Sequence, residues 1–563
     1  MNRIKVRDNK QQKQNLESRR NMIPFFKWLG KIIRHSTGEV TGHFLKPGDP
    51  GYQEEGALVS SLDKNLKIIT EIFGLCDDLM VRKVTIGKGV KHTDAAIVYL
   101  DPLINYSQLQ QGLMHSLLTV EQLPRAGITT EWLIKNVLSS GRVIEKDKWV
   151  EITDNINRGA VCLFIEGLDK ALLITIVETK SRQVDQPVIE TVSRGPSDGF
   201  NEDLRTNLGL LRKRLRTSRL AVENLEIGEL TKTEVKLVYL KGYVIDGLVD
   251  EIKERIQRIR VDGILDSGQI EEFIQDSPYS PFSTVDSTER PDKLAGNLLE
   301  GKAALMFDNT PFSLIMPSTL AAQLQSPQDY YERYWYSSFI RFLRWVALLI
   351  ALLGPSLYIS IITFHQELLP TSLLMTILIS REGVPFPALA EALLMELTFE
   401  VLREAGLRLP RAFGQTISIV GAIVIGQTAV NAGLVSPAMV IVVSLTAIAT
   451  FTIPSLSLAN SVRILRFLFM FFAASFGLIG VLVGFSFLIS HLCSLRSFGI
   501  PYFSPLAPLS FTDLKDTLIR APAWKMRYRP KLIGYTDPQR QNTDLKPRPP
   551  SVRGKTSIKK RRK

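Results

Sequence analysis

The stretch Phe339–Phe364, FIRFLRWVALLIALLGPSLYISIITF, decides the class of fold. Its 26 residues are mostly apolar, and a helix of this length, at about 1.5 Å per residue, crosses a hydrocarbon layer of roughly 30 Å. Three further apolar segments suit the same layer: Ala412–Leu434, Pro437–Ile453 and Phe467–Leu492. We therefore predict a polytopic α-helical membrane domain over residues 331–495.

The predicted topology has four crossings, which put both ends of the chain on one side of the membrane. We take this to be the cytoplasmic side, because the N-terminus MNRIKVRDNKQQKQ does not resemble a signal peptide. Basic residues tend to stay on that side. The topology conflicts with this tendency, since it places five arginines in loops on the opposite side: Arg403, Arg408, Arg411, Arg463 and Arg466.

Composition varies strongly along the 563 residues. Hydrophobic residues make up 45% of the chain, and they concentrate in residues 339–490, which excludes both a wholly soluble protein and a disordered chain. Residues 496–563 hold 17 Lys and Arg against 4 Asp and Glu, a surplus equal to the net charge of +13. We predict a basic extension over residues 1–55 and a basic, disordered tail over residues 496–563. Such tails beside a membrane favour anionic lipid as the partner over nucleic acid.

The part that precedes the membrane domain has the pattern of a duplicated unit. Val235–Leu240 (VKLVYL) repeats Ala95–Leu100 (AAIVYL) 140 residues later, and a predicted hairpin near Ala171 recurs near Pro311. GPSDGF at Gly195–Phe200 is echoed by SPQDYY at Ser326–Tyr331. The sequence therefore predicts a cytosolic α/β region of two similar subdomains, residues 56–190 and 191–330.

Each subdomain ends in a Pro-x-Asp turn that precedes a predicted helix. The first helix is predicted over Asn201–Arg216, and the second over Tyr331–Arg344, which continues into the membrane. Arg194, Asp198 and Arg205 either cap and solvate these helices, with Asp198 as an N-cap, or form a coupling surface. No catalytic motif is present, the three cysteines are scattered, and the six histidines never pair at ligand spacing. We therefore expect no enzyme activity, no metal site and no cofactor.

An acidic segment separates the first two predicted spans. In REGVPFPALAEALLMELTFEVLREAGLRLP, Pro385 and Pro387 suit the start of a helix. Glu396 and Glu400 share one broad face of that helix, whereas Glu391 falls within the apolar face. The helix either lies at the membrane interface with a solvated acidic stripe, or places carboxylates at membrane depth, where such groups attract cations.

The second predicted span carries two neutral polar residues one turn apart. Gln427 and Asn431 lie on one face, among glycines that permit close helix packing. They serve either as hydrogen-bonding groups between helices or as pore lining.

Three long motifs resemble one family: Ser193–Arg205 (SRGPSDGFNEDLR), Arg381–Arg411 (REGVPFPALAEALLMELTFEVLREAGLRLPR) and Gly421–Gly433 (GAIVIGQTAVNAG). They resemble the A subunit of GerA-type spore germination receptors, in the GerA/SpoVAF superfamily, from about residue 60 to 490. The long basic tails depart from the common family pattern.

The resemblance implies a multi-pass protein of the spore inner membrane, with the N-terminal domain and the C-terminal tail on the cytoplasmic, or core, side. It implies a transporter-like B subunit and a lipoprotein C subunit as partners in sensing a nutrient germinant. It also implies self-association into a ring-like homo-oligomer that acts as a germinant-gated cation channel. The alternative is an A-like accessory channel or scaffold of the SpoVA system, which amplifies germination without sensing a nutrient.

The candidate site residues form two sets. The candidate ion-pathway residues are Glu391, Glu396, Glu400, Gln427 and Asn431. The candidate coupling and family-motif residues are Arg194, Gly195, Pro196, Asp198, Gly199, Phe200, Arg205, Arg381, Pro385 and Pro387.

Overall fold

The structure, a computed structural model, describes residues 56–87, 92–120, 124, 128–138, 142–176, 186–408, 426–533, 536–542 and 545–547. All of them belong to one compact unit, Gln53–Lys563. The predicted extension 1–55, Arg411 and most of the predicted span Ala412–Leu434 lie outside the described residues.

The first subdomain is built on a five-stranded antiparallel sheet. Its strands are β1 (Leu79–Ile86), β2 (Thr93–Leu100), β3 (Val143–Lys146), β4 (Ala160–Ile165) and β5 (Ala171–Thr175), in the spatial order β1-β2-β4-β5-β3. Its helices are α1 (Leu62–Phe73), α2 (Thr130–Asn136) and α3 (Trp149–Asn157), with three shorter helical pieces at Tyr106–Gln108, Leu109–Met114 and His115–Leu118. Alternate residues of the strands face opposite sides: Val98 and Phe164 pack with α1 and α3, and Ile97 and Leu163 pack with the short pieces.

The second subdomain repeats this arrangement strand for strand. Its strands are β6 (Leu220–Ile227), β7 (Thr233–Leu240), β8 (Asp286–Thr288), β9 (Ala303–Phe307) and β10 (Ser313–Met316), in the order β6-β7-β9-β10-β8. Its helices are α4 (Leu204–Arg214), α5 (Leu248–Gln257), α6 (Ser267–Ile274) and α7 (Pro291–Leu299). Helices α4 and α7 cover one face, and α5 and α6 cover the other. The α/β region with two similar sheets agrees with the sequence prediction.

Helix α4 corrects one prediction. It begins after Asp203, whose side chain accepts from the backbone N–H of Thr206 at 3.0 Å, so Asp203 is the N-cap. Asp198 is not the N-cap, because its carboxylate pairs with Arg214 at the other end of the same helix.

A helical region follows the second sheet. Its helices are α8 (Tyr334–Phe364), α9 (Thr371–Arg381), α10 (Ala388–Arg408), α11 (Gly426–Asn431), α12 (Pro437–Phe451) and α13 (Leu456–Ser494). Two of them, α8 and α13, are long and apolar enough to cross a membrane by length and composition. Helix α10 begins directly after Pro387, as the two prolines predicted.

The connection into α8 differs from the predicted continuous helix Tyr331–Arg344. A separate short helix, Gln328–Tyr331, comes first, and Glu332 is extended, so α8 begins at Tyr334. The link between the α/β region and the first apolar helix therefore contains a break.

Helix α13 is divided at Gly477. This residue has φ 60° and ψ −144°, a conformation that residues with a Cβ rarely adopt. A Cβ on Gly484 would lie 3.2 Å from Phe469, fifteen residues earlier, a contact that a continuous helix does not permit. Residues 456–476 and 478–494 therefore form two arms that fold back on each other. The predicted single span Phe467–Leu492 is wrong, because it runs through this turn.

The C-terminal segment also differs from the expected disordered tail. Tyr502 is fully buried, and its hydroxyl donates to Gln323 at 3.0 Å. Arg529 donates to the carbonyl of Leu299 at 2.7 Å. Residues 496–533 thus pack on the second subdomain, because a few large side chains in this basic segment have buried sites that overall composition does not reveal.

Candidate functional site

Glu396 forms a buried ion pair at the centre of the helical region. Arg466 Nη1 lies 2.7 Å from Glu396 Oε2, and each side chain is only 3% exposed. The same guanidinium donates to the carbonyl of Ala351 and to Thr450 Oγ1, both at 2.7 Å. One side chain thus joins α8, α10, α12 and α13. Glu396 does not belong to a solvated stripe, and Arg466 does not lie in a loop.

Glu391 lies five residues earlier and is completely buried, in keeping with its predicted position on the apolar face. One carboxylate oxygen accepts from the backbone N–H of Ser436, the N-cap of α12, where the helix dipole favours negative charge. The other oxygen is 3.4 Å from Arg381 Nη2 and has no hydrogen-bond partner within the described residues. Pro387 also contacts Glu391, whose backbone N–H donates to the carbonyl of Pro387 at 3.1 Å. Pro385 is exposed in the preceding turn.

The other candidate ion-pathway residues lie farther out. Glu400 pairs with Arg403 and is 3.8 Å from Arg463. Gln427 Nε2 donates to Asn431 Oδ1 at 3.3 Å, and both amides are exposed in the single chain. In the part of the chain that the structure describes, no three acidic, histidine or cysteine side chains are placed to hold a metal ion together.

The GPSDGF motif contacts the segment that leads into α8. A Cβ on Gly195 would lie 2.6 Å from the ring of Tyr331, so the ring rests directly on this glycine. The carbonyl of Pro196 accepts from Arg290 at 2.9 Å, and Arg194 is 3.7 Å from Glu332. Thus Arg194, Gly195 and Pro196 share one surface at the start of the helical region.

Tyr331 is fixed from the other side by Asp292. Its hydroxyl donates to Asp292 Oδ2 at 2.5 Å. Burial, together with this hydrogen bond, raises the pKa of Tyr331 above its usual value, so the phenol stays protonated and continues to donate. Tyr331 is therefore held between Gly195 and Asp292.

The remaining motif residues have other partners. Gly199 and Phe200 are buried, and the backbone N–H of Phe200 donates to the carbonyl of Glu289 at 2.7 Å. Arg205 contacts Asp101 at 2.9 Å and stacks 4.5 Å from the ring centre of Tyr106. Arg205 thus joins the two subdomains to each other and lies away from the entry to α8.

A buried pair close by also joins the subdomains. Arg212 binds Asp78 through two hydrogen bonds, 2.8 Å and 2.7 Å, and both side chains are buried. The sequence did not indicate this pair, because Asp78 and Arg212 lie 134 residues apart.

The strongest ionic cluster that sequence reasoning missed surrounds Asp329. Its carboxylate accepts from Arg341 at 2.9 Å and from Arg344 at 2.8 Å, and it is 2% exposed. Arg341 also binds Asp516 of the C-terminal segment at 2.6 Å. The repeat of the Pro-x-Asp turn of GPSDGF in SPQDYY marks Asp329 as a candidate, whereas no pattern in the sequence indicates Asp516.

A second contact between the α/β region and the apolar helices involves the loop around Phe282. Ser461, in the first arm of α13, donates to the carbonyl of Pro281, and His491, in the second arm, is 2.9 Å from Ser280. Phe282 is buried in the core of the helical region. The loop therefore contacts the outer ends of both arms.

Comparison with known proteins places this chain in a family. The model of the Bacillus/Clostridium GerA spore germination protein matches residues 67–532. The chain belongs to the GerA family. Spore germination protein KA of Bacillus subtilis (strain 168) is 41% identical over 503 residues, which cover 89% of this chain and 92% of that protein. Spore germination protein A1 of the same organism is 44% identical over 391 residues, 69% of this chain and 80% of that protein.

A solved structure is also similar to this GerA-family chain. The N-terminal domain of the A subunit of the Bacillus megaterium spore germinant receptor GerK3 is 32% identical, with a TM-score of 0.37, and covers 46% of this chain and 96% of that chain. The family match over residues 67–532 confirms the resemblance that the three sequence motifs indicated.

Proposed function

We propose that this GerA-family chain is the A subunit of a nutrient germinant receptor. In this proposal several copies form a ring around an ion pathway in the spore inner membrane, and germinant opens the ring to cations. The partners are the transporter-like B subunit and the lipoprotein C subunit that the family resemblance implies. The N-terminal domain and the C-terminal tail lie on the core side, where the basic tails contact anionic lipid.

The observation that carries the proposal is the burial of carboxylates among apolar helices. Glu391 is completely buried and one of its oxygens lacks a hydrogen bond within the described residues, while Glu396 is held by Arg466. Ionisable groups are costly in a membrane and usually mark a path for ions or protons. Their burial supports a role in cation passage over a role as a solvated surface stripe.

The exposed amides support the ring. Gln427 and Asn431 bind each other on α11 and leave their remaining hydrogen-bonding groups free to face a neighbouring copy or water. A ring of identical copies would bring several such amides around one axis.

The contact of Gly195 with Tyr331 supports gating through the soluble part. The ring of Tyr331 rests on the family motif, and the chain enters α8 three residues later. A shift of the soluble domain would therefore reach the first apolar helix through this contact and through Asp329.

Reconstitution tests the proposal. The chain and its B and C partners are placed in liposomes, and potassium flux is measured with and without germinant. We expect germinant-dependent flux that falls in Glu391→Gln and stays normal in Glu404→Gln, a matched change at an exposed glutamate of the same helix, paired with Arg408. Flux that is independent of germinant would favour the SpoVA-type accessory role. The channel proposal fails if the natural chain conducts nothing.

A further inference from the structure

Helix α8 contains a proline at position 355. In an α-helix the N–H of residue 355 would donate to the carbonyl of residue 351, but proline has no N–H. The carbonyl of Ala351 therefore loses its partner inside α8. Ala351 is fully buried, so water does not replace that partner.

Arg466 supplies the missing donor from another helix. Its Nε donates to the carbonyl of Ala351 at 2.7 Å, while its two terminal nitrogens bind Glu396 and Thr450. The planar guanidinium presents its donors in a fixed fork, so all three acceptors are bound in one orientation. Thr450 in turn donates to the carbonyl of Thr446 at 3.0 Å within α12.

A helix that lacks one hydrogen bond at a proline bends easily at that point. In this structure α8 nevertheless continues as one helix from Tyr334 to Phe364. We infer that Arg466 is a positioning residue that keeps α8 extended by binding the carbonyl that Pro355 leaves free. Glu396 orients the guanidinium, so a displacement of α10 withdraws Arg466 and lets α8 bend at Pro355.

Arg466 can hold α8 extended whether or not the protein is a channel. Only a role of this contact in gating rests on the proposed function. The competing explanation is that Arg466 merely neutralises Glu396. If Arg466 holds α8 extended, the effect of its loss on the shape of α8 must depend on the proline, because Pro355→Ala restores the N–H that would bind Ala351 within α8. If Arg466 only neutralises Glu396, the effect does not depend on the proline.

Distance measurements between spin labels on α8 test the dependence. The full chain, in lipid nanodiscs, carries Cys493→Ser, which removes the exposed native thiol, with labels at Phe342→Cys and Thr363→Cys, two exposed positions on either side of the proline. An extended helix places these positions about 32 Å apart, at 1.5 Å per residue. We expect a narrow distribution near that distance for the reference chain.

The decisive variant removes both buried charges. In Glu396→Gln/Arg466→Leu we expect a broader distribution with a shorter mean, and we expect added Pro355→Ala to restore the reference. Glu396→Gln alone keeps an acceptor oxygen for Arg466 Nη1, so the guanidinium stays oriented toward Ala351 and the distribution is expected to change little. An unchanged distribution in the double variant, or no restoration by Pro355→Ala, would overturn the inference.

If the double variant does not fold, Arg466→Lys provides the same comparison. A single ammonium lacks the fixed fork of donors, so we expect broadening that Pro355→Ala again reverses. Germinant-dependent flux of the same variants separates the bending of α8 from channel gating. A distance change with unaltered flux would support the hinge at Pro355 and contradict its role as a gate. A natural chain without flux would contradict the proposed function, and the distance result would still stand.

Discussion

Asp198 and Asp329, 131 residues apart, each bind an arginine about four helical turns further along the chain. Asp198 pairs with Arg214, sixteen residues on, and Asp329 with Arg344, fifteen residues on. Arg214 is the last residue of α4, whereas Arg344 lies within α8, which continues for twenty more residues into the apolar helical region. The duplicated turn therefore binds the C-terminal end of a helix in the α/β region in one repeat and positions the first apolar helix in the other.

The two aspartates should differ sharply in their effect on stability. Asp329→Asn leaves Arg341 and Arg344 buried with less compensating charge, so we expect a loss of about 3–5 kcal/mol in the free energy of unfolding. Asp198→Asn, in a partly exposed pair, is the matched control and should cost about 1 kcal/mol or less. Denaturation of the purified chain in detergent measures both. Equal losses would contradict a special role for the second turn.

Gly195→Ala should disturb the contact with Tyr331. The added Cβ would lie 2.6 Å from the ring, and φ is +139°, so the ring must move. Gly242→Ala is the control, because its φ of +77° is also unfavourable but no atom lies within 4 Å of its Cβ. We expect reduced germinant-dependent flux for Gly195→Ala beyond that of the control, with partial recovery when Tyr331→Leu is added. Identical flux in both alanine variants would remove Gly195 from the coupling path.

The sequence predicted the α/β region well because strand patterns are local. VKLVYL and AAIVYL occupy β7 and β2, matching interior strands of the two sheets, and their nearly continuous apolar residues are buried on both faces. The buried position of Glu391 was also predictable, since the helical period alone places it on the apolar face. These features depend on residues that are close in the chain.

The features that could not be predicted from the sequence depend on residues that are distant in the chain. Glu396 belongs to an acidic stripe on a helical wheel, and only Arg466, seventy residues later, explains its burial. The apolar run Phe467–Leu492 is long enough for one span, and its composition does not show the turn at Gly477. Asp516 lies in a basic segment whose composition suggested disorder, although it binds Arg341.

The buried pair between the subdomains should behave as a unit. Asp78→Asn removes the charge that compensates Arg212, so we expect a loss of about 3 kcal/mol or more. The double variant Asp78→Leu/Arg212→Met removes both charges and should recover most of that loss, because apolar residues can replace a buried ion pair at little cost. Thermal unfolding of the full chain measures the difference. A double variant no more stable than Asp78→Asn would contradict the pairing.

The reversal of α13 at Gly477 predicts two cross-links to one loop. His491 is 2.9 Å from Ser280, and Ser461 donates to the carbonyl of Pro281, so both arms should reach this loop. With Cys493→Ser, we expect Ser280→Cys/His491→Cys and Pro281→Cys/Ser461→Cys each to form a cross-link with a short bifunctional reagent in membranes. A continuous helix would hold residues 461 and 491 about 45 Å apart, at 1.5 Å per residue, and only one pair could then react.

Gly477→Ala should lower the yield of the 280–491 pair, because the conformation at that turn disfavours a Cβ and the added atom would lie 3.0 Å from Phe364 and His365. Gly406→Ala, where no atom lies within 4 Å of the added Cβ, should leave the yield unchanged.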